Sequence, residues 1–194
     1  MSNATTVQTS RTKLRALCEV AIFVAIAVVL DQIRLNILPQ GGSVSFVLVP
    51  LTFLSIRWGV RWGLIAGLAF GLIKAIVGGG FAWGWQSILL DYFVAFTVIG
   101  LAGLFYRRAG GWAIVATVVA GLAQYVVFLL SGVIIWGEWM PDEFLGMAMG
   151  NTWFYSLLYN GLYMVPNTLI GAVIIGILAV PLKKYFRGED LVQA

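Results

Sequence analysis

Residues 88–106 read ILLDYFVAFTVIGLAGLFY, a run with Asp91 as its one charged residue. At 1.5 Å per residue, such a helix spans about 28 Å, close to the hydrocarbon thickness of a bilayer. An Asp inside it is costly in lipid and must face a polar cavity or a cation. The rest of the chain has the same character. Of 194 residues, 61% are hydrophobic, 14% aromatic and 10% charged, and the mean hydropathy is +0.95. Soluble domains carry about 25% charge, so too few charges remain here to cover a water-facing surface. The same apolar and aromatic content excludes disorder. The sequence predicts an all-α integral membrane protein with six transmembrane helices and no room for a second, soluble domain.

Working outward from residues 88–106, the apolar runs are 14–30, 44–56, 64–77, 88–106, 112–136 and 155–181. The second and third are short enough to be tilted, re-entrant or extended by their flanks. Gly and Pro punctuate nearly every break. The predicted organisation is a cytoplasmic segment 1–13, a six-helix membrane domain 14–182 and a cytoplasmic tail 183–194. The first run ends in Asp31-Gln32, not in a small-residue cleavage site, and is read as retained.

Charge sets the orientation. Arg11, Lys13, Arg15, Arg57, Arg61, Arg107, Arg108, Lys183, Lys184 and Arg187 fall on one face of a six-span arrangement. The opposite face carries Arg34 as its loop cation, with Asp31, Glu138, Asp142 and Glu143. The positive-inside rule puts both termini in the cytoplasm of a prokaryotic cell with this plasma-membrane protein. The net charge of +4 therefore belongs to loops and argues for no nucleic-acid partner. The sequence has no histidine and a single cysteine, Cys18. That removes the commonest general base and metal ligand, so neither an enzyme nor a metal or cofactor site is expected. No P-loop occurs either. An outward-facing site without its own engine fits a capturing subunit that works with partners.

Four polar residues fall within the runs: Glu19, Lys74, Asp91 and Asn160. Glu19 reads as a carboxylate reaching back to the interface near Arg15. Lys74 reads as snorkelling outward or pairing with Asp91. Asp91 is too short to snorkel and is read as a ligand group, with the pairing to Lys74 as the alternative. In TWFYSLLYNGLYMVPN (152–167), Tyr155 and Asn160 lie on adjacent helix faces that can border one cavity. An interfacial aromatic belt with a helix–helix hydrogen bond is the alternative there. Trp58, Trp62 and Trp112 form an inner belt, while Phe81, Trp83, Trp85, Trp136, Trp139 and Trp153 gather at the level of Asp91. Aromatic walls beside a carboxylate suit a planar cation, at roughly 0.5–2 kcal/mol per cation–π contact. Ala21-x-x-x-Ala25 is a small-residue face that admits another helix.

Several pieces, in order, carry a resemblance along essentially the whole chain. They are Pro39-Gln-Gly-Gly-Ser-Val-Ser45, Ile56-Arg-Trp-Gly59, Leu89-Leu-Asp-Tyr92 with Ala95-Phe96, Ser131-Gly132 ahead of Trp136, Tyr155-Ser-Leu-Leu-Tyr-Asn160, and Tyr163-Met-Val-Pro166. The chain resembles the thiamine-specific S-components of energy-coupling factor transporters. The resemblance implies an S-component-like fold that captures thiamine from outside. It implies docking through Ala21 and Ala25 onto a membrane coupling subunit driven by two ATPases, on which the loaded subunit topples. It further implies that Asp91 recognises the aminopyrimidine, that Tyr155 and Asn160 make polar contacts, and that Trp136 stacks. Gly132 permits close approach, Tyr92 and Phe81 form aromatic walls, and Ser43 and Ser45 line the loop into the second span. Two positions depart from the family. Phe128 stands where relatives carry a histidine, and can stack but not hydrogen-bond. Asp91 stands where they often have Glu, one methylene longer. The departures leave two ligands open, thiamine or a relative such as its pyrimidine precursor.

Overall fold

The computed structural model describes residues 2–38, 41–78 and 84–191. The elements in order are α1 (Ser2–Gln32), β1 (Leu35–Asn36), β2 (Ser43–Val44), α2 (Leu48–Trp58) and α3 (Val60–Val77). Then come α4 (Trp85–Phe105), α5 (Gly111–Ile134), β3 (Glu143–Phe144), β4 (Met147–Ala148), α6 (Thr152–Leu178) and the one-turn α7 (Lys183–Phe186). Helices α3, α4, α5 and α6 are long and apolar enough to cross a bilayer. Helix α2 is apolar but has only 11 residues, and α1 carries Arg15, Glu19 and Asp31. The expectation of six spans thus meets four that qualify by length and composition, a short apolar helix and a charged first helix. The two hairpins, β1–β2 and β3–β4, are antiparallel and two residues deep.

Local chemistry explains the breaks. Gly59 sits at φ +85° between α2 and α3, a conformation open to glycine, so one residue reverses the chain. Asn151 caps α6 by accepting a 2.8 Å bond from the Trp153 amide. Helix α4 is irregular, with residues Ile88–Val94 wound as a π-helix and Val98–Phe105 as a 3₁₀-helix. Such windings are usually only a turn or so long and often mark functional sites or strain. Helix α3 lies close along this stretch. A methyl at Gly67 or Gly71 of α3 would collide with the carbonyl oxygens of Phe96 and Tyr92. One at Gly100 or Gly103 of α4 would strike the backbone of α3 at Leu64 and Val60. The two backbones touch along their lengths because glycines occupy the seam.

The main core gathers side chains from α1 to α6, among them Val24, Leu51, Leu54, Phe70, Ile99, Ala116 and Ile175. A second cluster, Met149, Tyr155, Tyr159, Tyr163 and Met164, lies under the β3–β4 hairpin. Phe128 packs against both.

Charged residues collect at the two ends of the bundle. At one end the Arg57 guanidinium donates to Glu19, Asp190 and the Tyr185 carbonyl. Arg15 also reaches Glu19 and Asp190, and the Trp58 indole donates to Glu19 at 2.7 Å. Glu19 therefore does more than reach back to Arg15: it ties α1 to α2. At the other end Lys74 is bonded to Asp31 at 2.5 Å, and Arg34 to the same carboxylate at 3.0 Å. The pairing of Lys74 with Asp91 does not form. Helix α1 delivers Asp31, 4% exposed, to the face of α3 that bears Lys74.

Candidate ligand-binding site

The π-helical turn of α4 carries Asp91. Its Oδ2 accepts from the Ser87 hydroxyl at 2.8 Å and from the Trp136 indole at 3.1 Å. Ser87 is one α-helical turn earlier on the same helix, whereas Trp136 stands just past α5. The carboxylate is therefore held between two elements, in the mostly apolar upper part of the bundle. Two fixed donors hold the half-buried carboxylate in place.

Helix α5 connects this acid to the second polar centre. Gly132 lies against α6 so closely that a methyl there would collide with the Ser156 hydroxyl and meet the Asn160 amide nitrogen at 3.0 Å. Asn160, 6% exposed, donates to the Ser156 carbonyl at 2.9 Å, the Ser156 hydroxyl at 3.0 Å and the Phe128 carbonyl at 3.3 Å. Its Oδ1 accepts from the Tyr163 hydroxyl at 2.6 Å. The side chain is thus oriented by α5 and by its own helix together. A buried amide with its partners satisfied is a positioned group, not a stray polar residue.

Aromatic rings connect the two centres. Phe96, Phe128 and Tyr163 meet edge to face in sequence, with centroids 6.3 and 5.9 Å apart. Tyr163, Tyr159, Tyr155 and Phe144 continue the series to the β3–β4 hairpin. Such contacts fix ring orientation at about 0.5–1.5 kcal/mol each. Phe128 sits mid-series, packed on rings above and below it.

The remaining site residues of the sequence reading fall as follows. Tyr92 is half-buried, with its carbonyl against Gly71 of α3. Ser43 and Ser45 engage α6 through backbone, not hydroxyls: Asn167 donates to the Ser43 carbonyl at 2.9 Å and accepts from the Ser45 amide at 2.7 Å. Phe81 lies outside the described residues. Ala21 and Ala25 are exposed on α1, far along the chain from the Asp91 cluster.

Four residues with structural consequence were given no role of their own from sequence. Asn167 fastens the β1–β2 loop, and its signal was a second asparagine one heptad after Asn160. Asp31 neutralises Lys74, and its signal was an acid closing the first run. Ser87 and Ser131 flank the acid, and serines in apolar helices give no signal of their own. A cavity of about 40 Å³ lies beside Asp31, Arg34, Phe70 and Lys74. It is water-sized, well below the ~300–1,000 Å³ of a small-molecule site. Among the described residues no group of three His, Cys, Asp or Glu is placed to hold a metal ion.

Comparison with known proteins agrees with this architecture. Residues 17–187 match the family described as "Thiamine transporter protein (Thia_YuaJ)". The chain is 37% identical to the thiamine transporter ThiT of Bacillus subtilis over 187 residues, covering 89% of this chain and 94% of that protein. It is 27% identical to the ThiT of Lacticaseibacillus paracasei, covering 92% and 93%. The solved structure of ThiT from Listeria monocytogenes superposes with a TM-score of 0.79 at 27% identity, covering 90% of this chain and 98% of that one. A multi-pass apolar bundle, the close structural likeness and a family match over nearly the whole chain lead to one conclusion: this chain belongs to the Thia_YuaJ family of thiamine transporter proteins.

Proposed function

We propose that the chain is the substrate-binding membrane subunit of a vitamin importer, and that its ligand is thiamine. The observation that supports this most directly is the Asp91 carboxylate, fixed by Ser87 and Trp136 in a chain 37% identical to a thiamine transporter. A carboxylate beside an indole suits a ligand with an amino-bearing ring and a positive charge. In this reading Asp91 takes the aminopyrimidine and Trp136 stacks on the ligand. Tyr155 and Asn160 add polar contacts, while Phe128, Gly132, Tyr92, Phe81, Ser43 and Ser45 complete the walls and the entrance loop. The protein carries its ligand and performs no covalent chemistry on it.

Delivery inward is proposed to require a membrane coupling subunit and two ATPases. Ala21 and Ala25 support a docking role, because they sit on a lipid-facing side of α1 with Leu17 52%, Ile22 57% and Ile26 43% exposed. Both termini are proposed to be cytoplasmic, since Arg15, Arg57 and the tail residue Asp190 meet at one end of the bundle.

Thiamine titration of the purified protein, read by quenching of Trp fluorescence, tests the ligand. Saturable binding is expected, with Asp91→Asn weakening it at least tenfold, because a charge-assisted hydrogen bond contributes roughly 1.5–3 kcal/mol. Absence of saturable thiamine binding up to millimolar concentration refutes the thiamine reading. Phe128 in place of histidine favours one competitor in the same assay. If the hydroxymethylpyrimidine precursor binds more tightly than thiamine, the precursor is the ligand.

A further inference from the structure

The end of the bundle that holds Arg57 treats its cations in two different ways. Arg15 and Arg57 are neutralised there by Glu19 and Asp190. Arg107, Arg108, Lys183 and Lys184 are exposed and make no ion pair among the described residues. Three of them rest on aromatic rings instead: Arg107 over Tyr106 at 4.9 Å, Arg108 over Trp112 at 4.8 Å and Lys184 over Tyr185 at 4.9 Å. All three rings are themselves exposed, as aromatics at the headgroup level of a bilayer are. A cation lying on a ring keeps its outward N–H groups free for an anion.

Tertiary structure brings these cations together from two loops. Phe186 of α7 is buried against Phe53, which leaves Lys183 and Lys184 on the outer side. The Arg107 guanidinium lies over Gly188, where an added methyl would come within 3.1 Å of its Nε. Arg107 itself is held at φ +58°, a left-handed conformation that few non-glycine residues adopt. Its amide donates to the Ile56 carbonyl at 2.8 Å. Such strain persists only where the surroundings impose it, and here it sets the guanidinium beside the tail. Toward the middle of the same helices the surface is apolar. Ile114 of α5 covers Gly176 of α6, and Val115, Val173 and Ile177 are exposed. A ligand that joins an anion to hydrocarbon chains uses both parts, whereas an acidic protein surface uses the cations alone.

We propose that Arg107, Arg108, Lys183 and Lys184 form a binding site for the headgroup of an anionic phospholipid, whose acyl chains lie along α5 and α6. The arginine forks take the phosphate oxygens in bidentate fashion, and the lysines add point charges. The site stands at the opposite end of α4 from Asp91 and does not depend on which ligand is carried.

The test mixes purified protein in neutral detergent with phosphatidylglycerol or phosphatidylcholine of the same acyl chains, and follows unfolding by Trp fluorescence. At ten times its dissociation constant, phosphatidylglycerol should raise Tm by roughly 3–6 °C. Phosphatidylcholine, with no net charge, should raise it by about 1 °C or less. The double variants Arg107→Gln/Arg108→Gln and Lys183→Gln/Lys184→Gln should each lose about half of that rise or more. Arg11→Gln/Lys13→Gln removes the same charge from the exposed start of α1 and should keep the full rise. Each rise is measured against the same variant without lipid, so a change in intrinsic stability does not enter. Equal rises with both lipids overturn the proposal, and so do equal losses in the α1 variant, which would mean diffuse attraction without a site. Inorganic phosphate giving the same rise as phosphatidylglycerol shows a free-anion site instead. Polyglutamate raising Tm where phosphatidylglycerol does not shows a surface for an acidic protein, and equally overturns the lipid assignment.

Discussion

Arg57 is the charged residue whose loss should do most damage, and the geometry allows the size to be worked out. Its side chain is 3% exposed. Nε and Nη2 donate to the two Glu19 oxygens at 2.6 and 3.0 Å, and Nη1 and Nη2 to the two Asp190 oxygens at 2.8 Å each. Nη1 also donates to the Tyr185 carbonyl at 2.8 Å. Arg57→Ala leaves two part-buried carboxylates without their main counter-charge. Removing one partner of a buried ion pair costs about 3–5 kcal/mol. Arg15 still reaches both acids, so the lower end, about 3 kcal/mol, is the better figure. For a chain of this length that corresponds to a fall in Tm of roughly 6–12 °C, measurable by Trp fluorescence in detergent. Arg57→Lys keeps the charge but not the planar fork that serves two carboxylates, and should fall between wild type and Arg57→Ala.

The pH dependence adds a sign that can be checked. Hydrogen bonding to Arg57 holds the Asp190 carboxyl below its ordinary value, against a smaller opposing effect of burial. A carboxyl lowered on folding stabilises the protein above its unfolded pKa, about 3.9, and that contribution is lost as pH falls through the folded value. The Asp190 part of the gap between wild type and Arg57→Ala should therefore be complete at pH 7 and shrink only below about pH 4. A shift under 2 °C at pH 7, or a gap already closing between pH 7 and pH 5, would refute the reasoning.

Two further predictions concern packing and the entrance loop. Gly67→Ala places a methyl against the Phe96 carbonyl oxygen, and should cost about 1–3 kcal/mol as α3 and α4 are forced apart. Gly111→Ala, with nothing within 4 Å of the added methyl, is the control and should leave the melting temperature unchanged or raised; equal effects of the two refute the glycine-seam account. Asn167→Ala removes both bonds to the β1–β2 loop, so the Ser45 amide should exchange with deuterium at least tenfold faster. Unchanged exchange at that amide would show that something else fastens the loop.

Sequence by itself determined the solvent of this protein and much of its layout. Transfer energies belong to single residues and add along the chain, so runs such as 88–106 declare themselves without knowledge of a partner. The grouping of Arg15, Arg57 and the tail at one end was legible for the same reason: helix length fixes which end of the bundle each loop reaches. Asp91 stands out in the sequence because a carboxylate in a long apolar run has no cheap alternative to a polar partner. What the tertiary structure decided is which groups meet. Lys74 and Asp31 are 43 positions apart, and their pairing depends on how α1 is rotated about its axis, where one residue turns the face by 100°. The same holds for Asn167 and the loop at Ser43 and Ser45, where the serines act through backbone that no side-chain reading detects. The close seam of α3 and α4 beside Asp91 depends on Gly67 and Gly71 letting two backbones touch, a property of two helices together.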